Sequence, residues 1–155
     1  MNDDPLEVLL ASRVLARDAS GELTLGDQDG LLAPAEVDRL GHLAAELIPP
    51  AVAGIVIGEA RLDALLGYAV GRSRGLPILL LRDHEGIAEL RGEVPEAGAL
   101  YLLTGVLESP RMVDEFEGLC RRVGVPGAGA LALVSTLFPP DPRVRAVVQL
   151  PPGRG

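Results

Sequence analysis

The sequence predicts a single α/β domain in which helices flank a parallel β-sheet. From residue 51 onward, short apolar runs typical of strands buried on both faces alternate with longer segments of helical periodicity. Such strand–helix alternation favours a parallel sheet with right-handed crossovers and helices on both faces. The composition agrees, because 48% hydrophobic and 23% charged residues are typical of a globular chain.

The first 50 residues are predicted to add a small N-terminal flap of two helices and a short hairpin. A first helix is expected over residues 5–15, where apolar side chains recur at helical spacing. Residues 22–25 alternate between polar and apolar side chains, as in a short strand. A second helix begins at Pro34 and is stopped by Pro49 and Pro50.

The sheet core is predicted over residues 51–150, within one domain that covers residues 1–155. Two helices are expected in this core, one closed by Gly75 and one that starts near Ser109. Residues 82–98 form a polar stretch with space for one hairpin. The predicted strands are residues 52–57, 78–81, 100–103, 130–136 and 144–150.

Charge and composition argue against nucleic acid and membranes as partners. The net charge is −8 and only 3% of the residues are aromatic, so neither phosphate neutralisation nor base stacking is favoured. No apolar run approaches the roughly 18 residues of a membrane span. The lone Cys120 cannot form an internal disulfide, which favours a cytoplasmic location. All 14 basic residues are arginine, which excludes lysine chemistry such as a Schiff base.

Residues 100–112, LYLLTGVLESPRM, place a buried strand directly before the start of a helix. Ser109 is a suitable N-cap, and Pro110 suits the first helical position. The intervening TGVLE lies at the carboxyl end of the strand, where open α/β sheets bind ligands. We therefore expect the ligand crevice to include this segment.

The order of these parts resembles the type I phosphoribosyltransferases, most closely the orotate enzymes, over residues 5–138. The similarity rests on GELTLG at residues 21–26, AGIVIGEARL at 53–62 and GLPILLLR at 75–82, followed by the strand, loop and helix of residues 100–123. In that family, the segment matching AGIVIGEARL binds pyrophosphate, and the strand and loop after it carry the phosphoribosyl-pyrophosphate signature. The resemblance implies the family's fold, Mg²⁺-dependent phosphoribosyl transfer in nucleotide metabolism, and a homodimer.

The signature departs from the family's pattern where two acidic residues normally meet the ribose hydroxyls, directly or through Mg²⁺ and water. Thr104 and Gly105 stand at those positions. A threonine offers one hydroxyl and a glycine offers no side chain, so the attraction for a cation is lost. The alternatives left open are that the two residues form a neutral ligand pocket, or that they simply finish a strand and turn.

The loops that hold the phosphates in the family depart as well. After the strand, Glu108 brings a negative charge to an anion site and Pro110 lacks an N–H donor. Ser109 and Arg111 still offer donors there. In the pyrophosphate loop, Glu59 stands where the family prefers a small residue. A carboxylate this close to pyrophosphate costs on the order of a few kcal/mol.

The segment that matches the family's flexible catalytic loop is also altered. The orotate enzymes place lysines in and just before this loop, whereas this chain has RDHEG at residues 82–86 and no lysine. Arg82 and Arg91 supply charge but not the same contacts. The candidate ligand-binding residues of a vestigial phosphoribosyl-pyrophosphate site are Gly54, Gly58, Glu59, Arg61, Arg82, Thr104, Gly105, Glu108, Ser109 and Arg111. No catalytic residue and no metal ligand is assigned among them.

Three other features are interpreted as structural. The run from Glu59 through Arg61 to Asp63 is typical of the solvated start of a helix, although it also suits a cationic or hydroxylated ligand. The triplet at residues 83–85, DHE, lacks a distant further ligand for a metal and is interpreted as a solvated loop. Cys120 lies on an apolar helical stripe and is expected to be a small buried hydrophobe.

Together, these departures predict a phosphoribosyltransferase-like protein that has lost catalysis and acts as a binding, regulatory or partner protein without a cofactor. The alternative is an active orotate-type phosphoribosyltransferase of nucleotide metabolism with an atypical site, which would need Mg²⁺. A further possibility is an unrelated small-molecule enzyme built on the same sheet, since a fold does not fix the chemistry.

Overall fold

The computed structural model describes residues 3–27, 30 and 32–152, and both ends of the predicted domain lie outside these residues. None of the described helices is long and apolar enough to cross a membrane. The helices in this part of the chain are α1 (Pro5–Ala11), α2 (Pro34–Leu47), α3 (Arg61–Arg74) and α4 (Arg111–Val123). The strands are β1 (Leu15–Arg17), β2 (Leu23–Leu25), β3 (Val52–Ile57), β4 (Ile78–His84), β5 (Ile87–Arg91), β6 (Ala99–Leu107), β7 (Gly127–Ser135) and β8 (Val144–Gln149).

Six of these strands form one sheet in the order β5-β4-β3-β6-β7-β8. Neighbouring strands run parallel except β4 and β5, which are antiparallel at one edge. The strand that contains residues 100–103 lies inside the sheet, between β3 and β7. The predicted α/β class and the predicted order of elements in the sheet core are therefore confirmed.

Different helices cover the two faces of this sheet. On one face, Leu9 of α1, Leu40 of α2 and Leu66 of α3 are completely buried in one apolar cluster. On the other face, Phe116 and Cys120 of α4 belong to a second cluster. Cys120 is a buried free thiol, as its position on the apolar stripe predicted.

The N-terminal layer follows the prediction except that its first helix is shorter. α1 ends at Ala11, and Leu15 lies in β1, which pairs antiparallel with β2 in a separate small sheet. The Ser12 hydroxyl donates to two carbonyl oxygens of the last helical turn. Arg13 then adopts a left-handed φ of 63°, which turns the chain out of the helix. The prediction of a helix as far as residue 15 is therefore wrong.

Two strands continue past their predicted ends. β4 extends to His84 and turns through Glu85 and Gly86 directly into β5. Both turn residues have positive φ, 54° and 82°, as in a tight hairpin turn. β6 extends to Leu107. The hairpin expected within residues 82–98 is thus confirmed, and it stands where the family has its flexible loop. The interpretation of residues 83–85 as a solvated loop is wrong in part, because Asp83 and His84 lie in β4.

Two arginines tie neighbouring layers together. Arg74, at the end of α3, donates to the carbonyl oxygens of Ala45, Ile48 and Pro49 at 2.9, 2.9 and 3.1 Å. Carbonyls at the end of a helix lack intrahelical partners, so the guanidinium of α3 closes the last turn of α2. Arg143, ahead of β8, forms ion pairs with Asp114 and Glu117 of α4. It also pairs with Asp141 of its own loop.

Candidate functional site

The carboxyl ends of β3 and β6 meet where the order of strands in the sheet reverses. β3 leads through residues 58–60 into α3 and then to β4 on one side, whereas β6 lies on the other side of β3. β6 leads through residues 108–110 into α4. This reversal point is where an open α/β sheet forms its ligand crevice. The fold therefore brings together the two segments that the sequence singled out.

Thr104 and Gly105 lie inside β6 and not in a turn after it. β3 ends at Ile57, opposite Leu103, while β6 continues beside β7 as far as Leu107. Both residues are buried, and Thr104 is only 2% exposed. The alternative that they finish the strand is therefore wrong, because the strand continues past them.

Asp63, in the first turn of α3, inserts its carboxylate between the ends of the two strands. The backbone N–H of Gly105 donates to Oδ1 at 2.8 Å, and the hydroxyl of Thr104 lies 3.1 Å from Oδ1 and 3.2 Å from Oδ2. The backbone of Gly58 lies close to the same carboxylate, since a carbon added to this glycine would lie 2.8 Å from Oδ2. Burial raises the pKa of Asp63, and the hydrogen bonds from Gly105 and Thr104 together with the nearby backbone of Gly58 oppose that rise. The interpretation of Asp63 as part of a solvated helix start is wrong, since the residue is 4% exposed.

Two apolar side chains pack closely against the glycines of the crevice. A side-chain carbon placed on Gly105 would collide with Leu62 and would lie 2.7 Å from its Cγ. A carbon placed on Gly58 would lie 2.6 Å from Cε of Met112 and 2.8 Å from Oδ2 of Asp63. The two glycines that line the crevice are thus covered by Leu62, Asp63 and Met112 of this same chain.

Charged side chains at the rim of the crevice are paired with one another. Arg82 of β4 reaches Glu59 at 3.4 Å. Arg111, the first residue of α4, contacts Asp83 of the β4–β5 hairpin at 2.7 Å and Glu115 at 2.8 Å. Glu59, Arg82 and Arg111 were all predicted to face a ligand, but each has a charged partner within the chain.

The other candidate residues occupy different places around this rim. The Ser109 hydroxyl accepts a 3.2 Å hydrogen bond from the N–H of Arg111, and Pro110, predicted at the first helical position, is the N-cap of α4. Glu108 and Arg61 are exposed, at the end of β6 and at the start of α3. Gly54 lies within β3, where an added carbon would meet Leu100 at 2.9 Å, so close packing inside the sheet accounts for this glycine.

The residues of the crevice do not fit a Mg²⁺ ion. Its buried carboxylate, Asp63, already accepts hydrogen bonds from Gly105 and Thr104, and Glu59 faces the guanidinium of Arg82. Magnesium needs oxygen ligands in octahedral geometry, and a buried Thr104 hydroxyl adds a single one. Among the described residues, no group of three or more His, Cys, Asp or Glu side chains could hold a metal ion, and this includes the triplet at 83–85.

Three surface cavities lie away from the crevice. One of about 350 Å³ is lined by residues of α1 and α2, including His42 and Leu43. A neighbouring one of about 320 Å³ also includes His42, together with Tyr68 and Arg72 of α3. The third, about 340 Å³, lies beside Cys120 at the end of α4.

Sequence reasoning missed that Asp63 and Met112 close the crevice. Asp63 is in line with Gly67 and Gly71, four and eight residues further along α3, and all three are buried. A carbon added to Gly67 would lie 2.7 Å from Ile57, so these small residues mark the face of α3 that presses on the sheet. The spacing of four and eight residues between Asp63 and these glycines is therefore the sequence signal that could have predicted a buried Asp63.

The comparisons with known proteins give matches at the level of three-dimensional structure. No family model and no curated protein sequence matches the chain. The chain is similar to UMP synthase from Leishmania donovani, with a TM-score of 0.73 and 14% identity over 94% of this chain and 36% of that one. It is also similar to orotate phosphoribosyltransferase from Aeropyrum pernix, with a TM-score of 0.70 and 17% identity over 93% of this chain and 92% of that one. Adenine phosphoribosyltransferase from Rhodothermus marinus gives a TM-score of 0.70 and 15% identity, with 94% and 98% covered.

Identities of 14 to 17% carry no information on activity, but the TM-scores and the coverage of this chain establish a common architecture. The resemblance drawn from the sequence is confirmed at that level: the chain has the fold of the type I phosphoribosyltransferases.

Proposed function

We propose that this chain is a phosphoribosyltransferase-like protein that does not transfer phosphoribosyl groups and acts instead as a binding, regulatory or partner protein. The observation that carries the proposal is the burial of Thr104 and Gly105 inside β6, with Leu62 against the glycine. The resemblance places the acids that meet ribose and Mg²⁺ at these two positions. Neither the charge nor the space for a sugar and a metal ion is present there.

The polar groups around the crevice support the same proposal. In the described part of the chain, every buried side-chain nitrogen and oxygen has a hydrogen-bond partner, so no buried polar side chain is waiting for a ligand. The hairpin that replaces the flexible loop is joined to α4 through Asp83 and Arg111. A phosphoribosyltransferase that closes a loop over its substrate needs that segment free to move.

A thermal melt with phosphoribosyl pyrophosphate and Mg²⁺ tests the proposal. A ligand at a hundred times its dissociation constant stabilises a protein by about 2.7 kcal/mol, which is roughly 5–10 °C for a chain of this size. We expect no Mg²⁺-dependent shift for this chain. Orotate phosphoribosyltransferase from Aeropyrum pernix serves as the positive control because it has a similar length and the same fold.

A clear Mg²⁺-dependent shift, together with release of pyrophosphate in the presence of orotate or a purine base, would overturn the proposal. It would favour the alternative, an active orotate-type enzyme with an atypical site and a need for Mg²⁺. In the proposed function the chain needs no cofactor.

The proposal extends to assembly and location. The resemblance to the phosphoribosyltransferases supports a homodimer, and the single free Cys120 is compatible with the reducing cytoplasm. Light scattering coupled to size exclusion tests the first point, since a homodimer has twice the 16.2 kDa mass of the chain. A mass equal to that of one chain would rule the homodimer out.

A further inference from the structure

We propose that the hydrogen-bond donors beside the end of β3 form an oxyanion site and that the Asp63 carboxylate occupies this site as a built-in ligand. The inference deepens the proposed function and rests on it, since it explains how a crevice that takes no sugar diphosphate remains folded and closed. The chemical class of ligand that Asp63 replaces is a small phosphate oxyanion.

The donors around Asp63 form an arrangement that recognises oxyanions. The backbone N–H of Gly105 and the hydroxyl of Thr104, both in β6, donate to this carboxylate, and the backbone of Gly58 after β3 lies beside it. These groups belong to two neighbouring segments of the sheet edge, and β6 lies some forty residues from Asp63 in the sequence. Backbone N–H groups and hydroxyls are the groups that cradle phosphate at the ends of strands and at helix N-termini.

The position of Asp63 in α3 favours an anion at this point. It is the third residue of the helix, whose N-terminal turn carries partial positive charge. A carboxylate and a phosphate both present several acceptor oxygens to the same donors. The two glycines let the backbone approach the carboxylate, because a side chain on either one would collide with Leu62, Met112 or Asp63 itself.

The space released by removing Asp63 limits the ligand to a small oxyanion. Leu62 packs against Gly105 and Met112 packs against Gly58, and we expect these apolar walls to remain when Asp63 is shortened. An aspartate side chain and an inorganic phosphate are of similar size, so phosphate fits the vacated space and a sugar diphosphate does not. The variant Asp63→Gly is therefore expected to exchange an internal anion for an external one.

Inorganic phosphate is the probe that tests this proposal. Wild-type chain and the variants Asp63→Gly, Asp63→Ala and Asp63→Asn are melted in phosphate and in chloride of equal ionic strength. We expect the Gly and Ala variants to melt lower in chloride and to recover at least half of the lost melting temperature in phosphate. In wild type and in Asp63→Asn, the side chain at position 63 still occupies the oxyanion site. Their melting temperatures are therefore expected to respond to phosphate at least tenfold more weakly.

A control variant distinguishes phosphate binding at the oxyanion site from a general effect of removing a charge or of placing a glycine in a helix. Asp38→Gly removes an exposed carboxylate from α2 and is expected to gain no response to phosphate. In ¹⁵N spectra of Asp63→Gly, the amide signals of Gly58 and Gly105 are expected to shift with phosphate.

The proposal is overturned if the Gly and Ala variants fold and phosphate stabilises them no more than wild type. It is also overturned if they stay unfolded in phosphate, since an external anion then does not replace the carboxylate. A response of Asp38→Gly equal to that of Asp63→Gly would mean non-specific screening and would overturn it as well. Failure of the proposed function has a separate readout, the Mg²⁺-dependent response of wild type to phosphoribosyl pyrophosphate.

Discussion

Arg111, at the start of α4, holds Asp83 of the β4–β5 hairpin through a 2.7 Å hydrogen bond from its Nη2. The same guanidinium donates from Nε to Glu115 at 2.8 Å, one helical turn further along α4. The two carboxylates raise the pKa of Arg111, the contact with Glu115 most strongly. The hairpin is thereby joined to the helix that carries Met112 over the crevice.

The hairpin is expected to loosen when this pair is removed. Asp83→Asn keeps the acceptor for the N–H of Gly86, at 2.9 Å in the wild type, but removes the charge that attracts Arg111. Because Arg111 is well exposed, we expect no measurable change in the free energy of unfolding. Hydrogen exchange of the turn amides at residues 84–87 should become faster. Glu89→Gln, which removes the pair with Arg91 on the same hairpin, should leave those turn amides unchanged.

Arg74 is expected to be one of the most important polar residues for stability. Its guanidinium makes three hydrogen bonds to carbonyl oxygens at the end of α2, in a partly buried position. Hydrogen bonds from charged groups contribute about 1.5–3 kcal/mol each, and not additively, so Arg74→Met should cost about 2–4 kcal/mol in urea unfolding. Arg74→Lys should recover only part of this loss, because an ammonium lacks the planar fork. Arg72→Met, an exposed change on the same helix, should be close to neutral.

Gly105 is expected to tolerate no side chain while Leu62 is present. Gly105→Ala places its methyl against Leu62 and should destabilise the chain by about 1–3 kcal/mol. The double change Gly105→Ala with Leu62→Ala should lose less than the sum of the two single changes, because the second creates room for the first. Gly118→Ala is the matched control: the site is open, with Arg121 at 3.9 Å, and α4 should gain up to about 1 kcal/mol there. Additive losses in the double variant would show that Leu62 is not what excludes the side chain.

The Gly105 contact also bears on restoring activity. Introducing aspartates at positions 104 and 105 would place carboxylates in a buried strand beside Asp63 and against Leu62. That change alone is therefore expected to unfold the chain and not to create a Mg²⁺ site.

Asp63 is expected to make the free energy of unfolding depend on pH. Burial raises its pKa in the folded state, so the folded chain binds more protons than the unfolded chain above about pH 4. The free energy of unfolding contributed by this residue should therefore be highest below that pH and fall as the pH rises through the folded-state pKa. Asp141 acts in the opposite sense, since its hydrogen bonds with Arg143 lower its pKa and their contribution is lost in acid.

Comparing the pH dependence of wild type with that of Asp63→Asn separates the contribution of Asp63 from that of the other carboxylates. The difference in the free energy of unfolding, wild type minus variant, should decline with rising pH and then level off in urea melts. A flat difference across the acid range would mean that the carboxylate is not perturbed by burial in the way the structure indicates.

Most of the secondary structure was predictable because local signals and tertiary packing agree. Gly75 was expected to close a helix, and it has the left-handed φ of 65° that ends α3. Pro34 was expected to open α2 and is its first residue. By contrast, the apolar stripe that suggested a helix as far as Leu15 continues because β1 faces the same cluster as α1, and periodicity over so few residues does not separate the two cases.

The sequence predicted which segments come together, but not the contacts between them. The segments at residues 53–62 and 100–111 meet where β3 and β6 are neighbours. What fills the crevice depends on contacts between residues distant in sequence, such as Asp63 with Thr104 and Met112 with Gly58. A carboxylate early in a helix usually faces water, and only the close approach of α3 to the sheet turns this one inward.

The hydrogen bonds from Arg74 to the end of α2 have a consequence for how the chain unfolds. They couple the N-terminal layer to the sheet core, and the layer's own Leu9 and Leu40 are already fully buried against that core. The N-terminal layer therefore belongs to the same cooperative unit as the sheet core. It should unfold together with the core and not before it.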